Sequence, residues 1–309
     1  MARMETPLET ERPSPRYSGI DLWSPAEILD SMIEGQFAAV AAVHAARAAL
    51  EHTALAVEQR LRAGGRLVYA GAGTSGRLAV QDGAELTPTF GWPPERLLLL
   101  IAGGVDALLR AVEGAEDASE DGAELVRHHR IGDRDALIAV AASGTTAFTV
   151  GCLREAVARG ALTVGIANNP NTPLLDEADH SIWLDTGAEA IAGSTRMKAG
   201  TAQRVALTML SSLVMIRLGR VYEGLMVDVQ ATNEKLVRRS ETILTQLTGH
   251  SRDRARQALR QARGSVKLAI LLLEGSEPDA ARSALEQTGG DLRAAKTLIE
   301  ARRNQKKRA

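Results

Sequence analysis

Short apolar runs alternate with helical stretches through the middle of the chain. The runs at 66–70, 97–102, 136–141, 162–167 and 180–184 are each of strand length. Most are apolar without alternation, the pattern of strands covered on both faces. Between them lie segments of helical spacing, including 105–113 and 147–159. This alternation predicts an α/β fold, a doubly wound, mainly parallel five-stranded sheet flanked by helices. Ligands of such sheets bind outside the carboxyl ends of the strands, so that edge is where chemistry is expected.

The flanks read differently. Residues 1–20 are rich in Pro, Ser, Thr and charge and predict an arm rather than a core element. Ser24-Pro25 opens a helix, with Ile28, Met32 and Ile33 on its apolar face. A second, Ala-rich helix is expected over about 36–62, ending at Gly64-Gly65. After the fifth run comes a long helical region over 194–218. Beyond Gly249 the spacing gives short amphipathic helices: Ala255, Leu259 and Ala262 share one face, Val266, Ile270 and Leu273 another. Pro278 opens the next, Gly289-Gly290 closes it, and Leu292, Ala295 and Ile299 line the last. The domain expectation is an N-terminal arm with helices at 1–50, an α/β domain at 51–245 and a small helical domain at 246–309.

Composition narrows the function classes. The 309 residues are 45% hydrophobic and 24% charged, with 37 Lys and Arg against 38 Asp and Glu. That balance offers no broad basic field for nucleic acid or an anionic membrane. Three each of Trp, Tyr and Phe leave little for base stacking. The lone Cys152 excludes an internal disulfide framework and any multi-thiolate zinc site. Six scattered histidines have no metal-ligand spacing. Residues 1–25 hold Glu5, Glu9, Glu11 and four prolines but no apolar signal region, and the apolar stretch 205–218 is expected to be too short for a bilayer. A cytoplasmic protein is the resulting expectation. The basic run from Arg302 to Arg308 reads as a solvated tail.

The first strand runs into Gly71-Ala72-Gly73-Thr74-Ser75-Gly76-Arg77. This fits G-x-G-x-x-G, but the second strand ends in Gly103-Gly104 without the acidic residue that holds a dinucleotide's ribose. Thr74 and Ser75 point instead to an anion at a helix N-terminus, where unpaired amides and the helix dipole favour negative charge. A second such turn, Ser143-Gly144-Thr145-Thr146, ends the third run. Either turn alone is explained by helix capping. Two on one sheet edge suit the phosphate of a small molecule.

These two turns resemble the sugar isomerase (SIS) fold, and more narrowly the chain resembles the N-acetylmuramic acid 6-phosphate etherases. The matching segments are GAGTSGRL at 71–78, PTFG at 88–91, IAGG at 101–104, AVEGAED at 111–117, GSTRMKAGTAQ at 193–203 and LMVDVQATNEKL at 225–236. The likeness continues into the helical tail, which it makes UBA-like. It implies a cofactor-free lyase of amino-sugar catabolism in cell-wall recycling, acting as a homodimer with sites near the subunit interface. The substrate would be a phosphosugar carrying D-lactate as an ether on carbon 3. Two carboxyl groups can remove the acidic carbon-2 proton and protonate the departing ether oxygen, with no metal or redox cofactor.

The resemblance implies Glu85 as proton donor and Glu116 as the second acid/base, the carbon-2 base and water activator. Thr74, Ser75, Ser143, Thr145 and Thr146 would bind substrate. Glu189 and Ser194 join them as expected sugar contacts, although a helix cap or an ion pair with Lys198 explains Glu189 nearly as well. Asp117 either hydrogen-bonds a helix end or orients Glu116; Arg196 and Lys198 either hold phosphate or pair with acids. Glu113, on the expected helix face of Glu116, reads as structural, and so does His180. The family usually has Ser-Glu-Cys where this chain has Ala84-Glu85-Leu86, and Arg where it has Thr145. It usually has Asn near Arg12-Pro13-Ser14 as well. These departures bear on substrate preference more than on reaction type. The rival expectations are a phosphosugar-sensing regulatory protein and an aldose–ketose phosphosugar isomerase.

Overall fold

The computed structural model describes residues 8–229 and 234–308. The middle of the 225–236 motif, at 230–233, and the start of the arm, at 1–7, lie outside the described residues. The chain divides into two compact units, one of the residues up to Ala84 with Glu95–Ser211, the other of Glu85–Pro94 with the residues from Ser212 on.

The first unit is built on five parallel strands: β1 (Leu67–Gly71), β2 (Leu97–Ile101), β3 (Ala136–Val140), β4 (Leu162–Ala167) and β5 (His180–Trp183), in the order β2-β1-β3-β4-β5. Each expected run is a strand to within a residue at either end. Leu67 stands opposite Leu97 on one side and Ala136 on the other, and Gly71 opposite Ile101 and Val140, so β1 and its neighbours end level. β1, β3 and β4 are buried throughout, whereas the edge strands β2 and β5 are only partly covered. Full burial is thus confined to the strands with sheet on both sides, although the edge strand β2 is as apolar in sequence as they are.

The helices α1 (Pro25–Ala45), α2 (Arg47–Arg62), α4 (Ser119–His128), α5 (Ala147–Ala158) and the short α6 (Pro173–Asp176) lie in this unit, and α3 (Gly73–Phe90) and α7 (Lys198–Arg217) begin in it and end in residues of the other. On one face of the sheet Val68, Ala70, Leu137 and Ala139 pack with Phe148, Cys152 and Leu153 of α5 and Val126 of α4. α1 opens with a capping box: Ser24 accepts from the Glu27 amide and the Glu27 carboxylate accepts from the Ser24 amide.

Four expectations need correction. The break between the first helices falls at Ala46, not near residue 36. Gly35 is buried, and a Cβ there would sit 3.2 Å from the Lys198 side chain, so close packing carries the helix through a residue that ordinarily ends one. The segment 105–113 is no α-helix. Gly103 and Gly104 both hold positive φ, only a 3₁₀ turn (Val105–Leu108) follows, and Glu113 and Glu116 therefore share no helix face. The polar arm is not merely solvated: Thr10 is fully buried with its hydroxyl and amide paired to Asn169, which avoids the cost of about 1–3 kcal/mol for an unpaired buried group. Finally, α7 spans 20 residues and is long and apolar enough to cross a membrane by length and composition; 56% of its most apolar stretch is buried in the protein. Burial, rather than length, marks it as a core helix.

In the second unit a hairpin pairs β6 (Val221–Tyr222) with β7 (Leu225–Met226) across Glu223-Gly224, both at positive φ, the two-residue turn that matches strand twist. Helices α8 (Glu234–Thr248), α9 (Arg252–Gln261), α10 (Val266–Leu273), α11 (Pro278–Gln287) and α12 (Leu292–Arg308) follow. They enclose a core of Ile243, Leu259, Ile270, Leu292 and Ile299. The buried Lys267 ammonium donates to Asp228 and to the Gly290 carbonyl, each at 2.6 Å. That ties the segment after the hairpin to the turn before α12.

α7 begins at Lys198 rather than 194, at the point where the Glu189 carboxylate accepts from the amides of Lys198 (3.1 Å) and Ala199 (2.8 Å). Burial holds the Glu189 carboxyl above the usual carboxylate range, against the pull of the Ala199 and Lys198 amides and the Lys198 charge. A carboxyl with a higher pKa folded than unfolded binds its proton more tightly in the folded chain. Its contribution is present at acid pH and lost as pH rises from the unfolded to the folded value. Glu189→Gln removes that loss, so its stability relative to the parent should improve between pH 4 and pH 7, read from urea unfolding at the two pH values.

Candidate functional site

The strand order reverses between β1 and β3: from β1 the chain crosses to β2 on one side, then returns to β3 on the other. At this switch point the crossovers diverge and leave a crevice at the carboxyl edge. α3 starts almost on top of the strand that feeds it. A Cβ on Gly76 would fall 2.7 Å from the Gly71 carbonyl oxygen, and one on Gly71 would fall 2.9 Å from the Gly76 Cα. Only glycine at both positions lets the first turn of α3 settle onto the end of β1.

The second loop is shaped by a different constraint. Gly144 has φ +72°, and a Cβ there would lie 2.2 Å from the buried Thr172 hydroxyl. The tight turn lets the Ser143 hydroxyl meet the Thr146 hydroxyl at 3.1 Å and accept from the Thr145 amide at 3.2 Å. α5 begins immediately afterwards, at Ala147.

Between the loops is a cavity of about 370 Å³. Its floor is Ala72, Gly73, Thr74 and Ser75 from the β1 loop and Ala142, Ser143, Thr145, Thr146 and Ala147 from the β3 loop. Glu116 and Asp117 line it from the loop after β2, and Thr195 from the turn before α7. Five of the expected substrate contacts, Thr74, Ser75, Ser143, Thr145 and Thr146, therefore meet Glu116 in one space. The N-termini of α3 and α5 both open onto it, which makes it a place for an anion.

Glu116 stands on a 3₁₀ turn (Ala115–Asp117), exposed, its carboxylate beside Gly73. Its loop is fixed from α3: Arg77 donates to the carbonyls of Ala107 at 2.8 Å and Arg110 at 3.3 Å. The Glu116 carboxylate has no hydrogen-bond or ion-pair partner among the described residues, so its lone pairs are open to a ligand.

Other expected residues lie elsewhere. Glu85 is exposed on α3, eleven residues beyond Thr74, about 16 Å along the helix axis, and does not line this cavity. Glu189 is buried as the cap of α7 and borders a separate cavity of about 310 Å³ with Pro13, Pro15 and Tyr17 of the arm. The Lys198 ammonium donates to the Ala188 carbonyl at 2.5 Å. Ser194 contributes its backbone to the turn before α7 and is not in the cavity wall. Its neighbour Thr195 is, a residue that sequence reasoning passed over although it stands in the same GSTRMKAGTAQ segment.

The chain is similar to known proteins over most of its length. Residues 49–157 match the family described as glucokinase regulatory protein N-terminal SIS domain, and 115–213 match the SIS domain. A protein of Deinococcus radiodurans named N-acetylmuramic acid 6-phosphate etherase is 51% identical over 88% of this chain and 89% of its own. One of the same name from Rubrobacter xylanophilus is 44% identical over 86% of this chain and 88% of its own. Among solved structures, a phosphoheptose isomerase from Francisella tularensis aligns at 20% identity with a TM-score of 0.47, covering 63% of this chain and 98% of that one. With identity of this extent over nearly the whole length, the chain belongs to the N-acetylmuramic acid 6-phosphate etherase family.

Proposed function

We propose that this protein is a lyase that cleaves the D-lactyl ether of N-acetylmuramic acid 6-phosphate, giving N-acetylglucosamine 6-phosphate and D-lactate. The observation that carries the reading is the cavity at the switch point, where hydroxyls and two helix N-termini face a carboxylate with no partner among the described residues. The named relatives support the same reaction.

In this reading Thr74, Ser75, Ser143, Thr145 and Thr146 hold the phosphate. Glu116 takes the carbon-2 proton of the open-chain aldehyde, the carbon 3–oxygen bond breaks, and the departing lactyl oxygen takes a proton from Glu85. Once Glu116 has passed that proton to solvent, it deprotonates the water that adds at carbon 3, while carbon 2 and Glu85 each regain a proton, by way of solvent, from Glu116 and the bulk. The net change is one water consumed and one lactate released. The span of α3 between Thr74 and Glu85 leads us to take Glu85 from a second copy of the chain. A phosphosugar places its carbon 3 much nearer its phosphate than about 16 Å.

A homodimer is part of the proposal. On α1, Leu29, Ile33, Phe37 and Val40 follow helical spacing and are 59, 51, 72 and 48% exposed, an apolar stripe of the kind that marks an association surface. The reading also puts the reaction in the cytoplasm, since a phosphorylated sugar does not cross a bilayer and must be used where it is made.

Glu116→Gln and Glu85→Gln are each expected to lower lactate release by about 10²–10⁴-fold or more while phosphosugar binding persists. Retained turnover in either variant removes that carboxylate from the mechanism. Mixing the two inactive variants should restore about a quarter of the parent activity, because half of the dimers formed then carry one intact site built from both chains. Lactate among the products separates this reaction from an isomerisation, and turnover of any kind separates it from a sensor. For the dimer, light scattering should give twice the 32.9 kDa of one chain, and Phe37→Glu should bring the mass down to a single chain.

A further inference from the structure

We propose that Thr10 and Asn169 are positioning residues for the phosphate cavity, and that the N-terminal arm acts through them to hold its two walls in register. The inference rests on phosphate binding in the hydroxyl-lined cavity.

Thr10 is fully buried and Asn169 is 1% exposed. The pair is reciprocal: the Thr10 amide donates to Asn169 Oδ1 at 3.3 Å, and Asn169 Nδ2 donates to Thr10 Oγ1 at 3.0 Å. The same Nδ2 donates to the Ala142 carbonyl at 2.8 Å, and Ala142 is in the cavity wall immediately before Ser143. On its other side the Thr10 carbonyl accepts from the Gly193 amide at 3.0 Å. Gly193 in turn accepts from the amide of Thr195, also at 3.0 Å, and Thr195 is the opposite wall. An unbroken line of hydrogen bonds therefore runs from the β3 loop through Asn169 and Thr10 to the turn before α7. Among the described residues, the other backbone hydrogen bonds of 191–197 are local, reaching no further than Gly200 or Thr201. The arm thus supplies this turn's one long-range backbone tether, at the point where the turn meets the cavity.

The geometry assigns the effect to ligand affinity. Thr10 touches neither of the proposed acid/base groups, and the line it completes ends on phosphate-side residues. Lactate release by the full chain can be followed with N-acetylmuramic acid 6-phosphate, with inorganic phosphate as competing ligand. Thr10→Val, close in shape but without the hydroxyl, should raise KM and the phosphate inhibition constant together by about tenfold, with kcat within about twofold. Thr10→Ser should return both to near the parent values. Should Thr10→Val fail to fold, Asn169→Asp, which lacks the two donors, carries the same expectation. A lowered melting temperature with both constants unchanged, or Thr10→Ser as impaired as Thr10→Val, overturns the proposal. If the parent releases no lactate, the etherase reading fails instead. The comparison is then read from calorimetric binding of glucosamine 6-phosphate, where about tenfold weaker binding to Thr10→Val supports the positioning role and equal binding overturns it.

Discussion

The backbone contact between Gly71 and Gly76 sets the geometry on which the site depends. A parallel sheet brings all its strand ends to one edge, but a cavity forms there only if the following helix starts close enough to aim its free amides inward. With 2.7 Å between a hypothetical Gly76 Cβ and the Gly71 oxygen, any side chain there would push the first turn of α3 off the strand end. Thr74 and Ser75 would move with it. Gly144 plays the corresponding part on β3, where Thr172 leaves no room for a side chain and the turn needs positive φ. Two helix N-termini then converge on one space because two backbones are packed to contact, and the hydroxyls are carried in by the turns.

Much of this was readable from the residues. The five strands stand where the apolar runs are: β1, β3 and β4 are buried along their whole length, and glycine turns follow β1, β2 and β3. The regions that misled were those where tertiary contacts set the local structure. Spacing over 105–113 suits a helix, yet paired left-handed glycines and the grip of Arg77 on two carbonyls hold an open loop there. Gly35 has the look of a helix end and is instead a packing site for Lys198. Thr10 is polar and lies in a polar arm, so nothing in the pattern marks it as buried; its partners are 159 and more residues away. The β6–β7 hairpin was not expected: strands of two residues fall below what periodicity detects, and Glu-Gly is not one of the usual Asn-Gly or Asp-Gly turn pairs. Among the site residues, the hydroxyl pairs were legible as anion-binding turns. The two glutamates were singled out only through the motif around them, because an exposed glutamate is the commonest kind.

The cavity's chemistry depends on which residue types it contains. Among the described residues no lysine or arginine lines it; the positive potential comes from amides and helix dipoles, and the hydrogen bonds from hydroxyls. A phosphate could be held more strongly by cations. Yet a lysine or arginine within reach would pair with Glu116 and occupy the oxygens that the proposed reaction needs to take a proton. Fixed dipoles avoid that conflict: they are bound into the backbone, point at the phosphate and cannot swing toward the carboxylate. The charged side chain that grips this loop from α3, Arg77, donates to carbonyls of residues 107 and 110 and leaves Glu116 open. In the proposed reaction, phosphate anchoring would thus fall to backbone and hydroxyls and proton transfer to a carboxylate. On that proposal Thr145 is compatible with the site: two helix ends would hold the anion, and a guanidinium at that position would add affinity without creating the binding place.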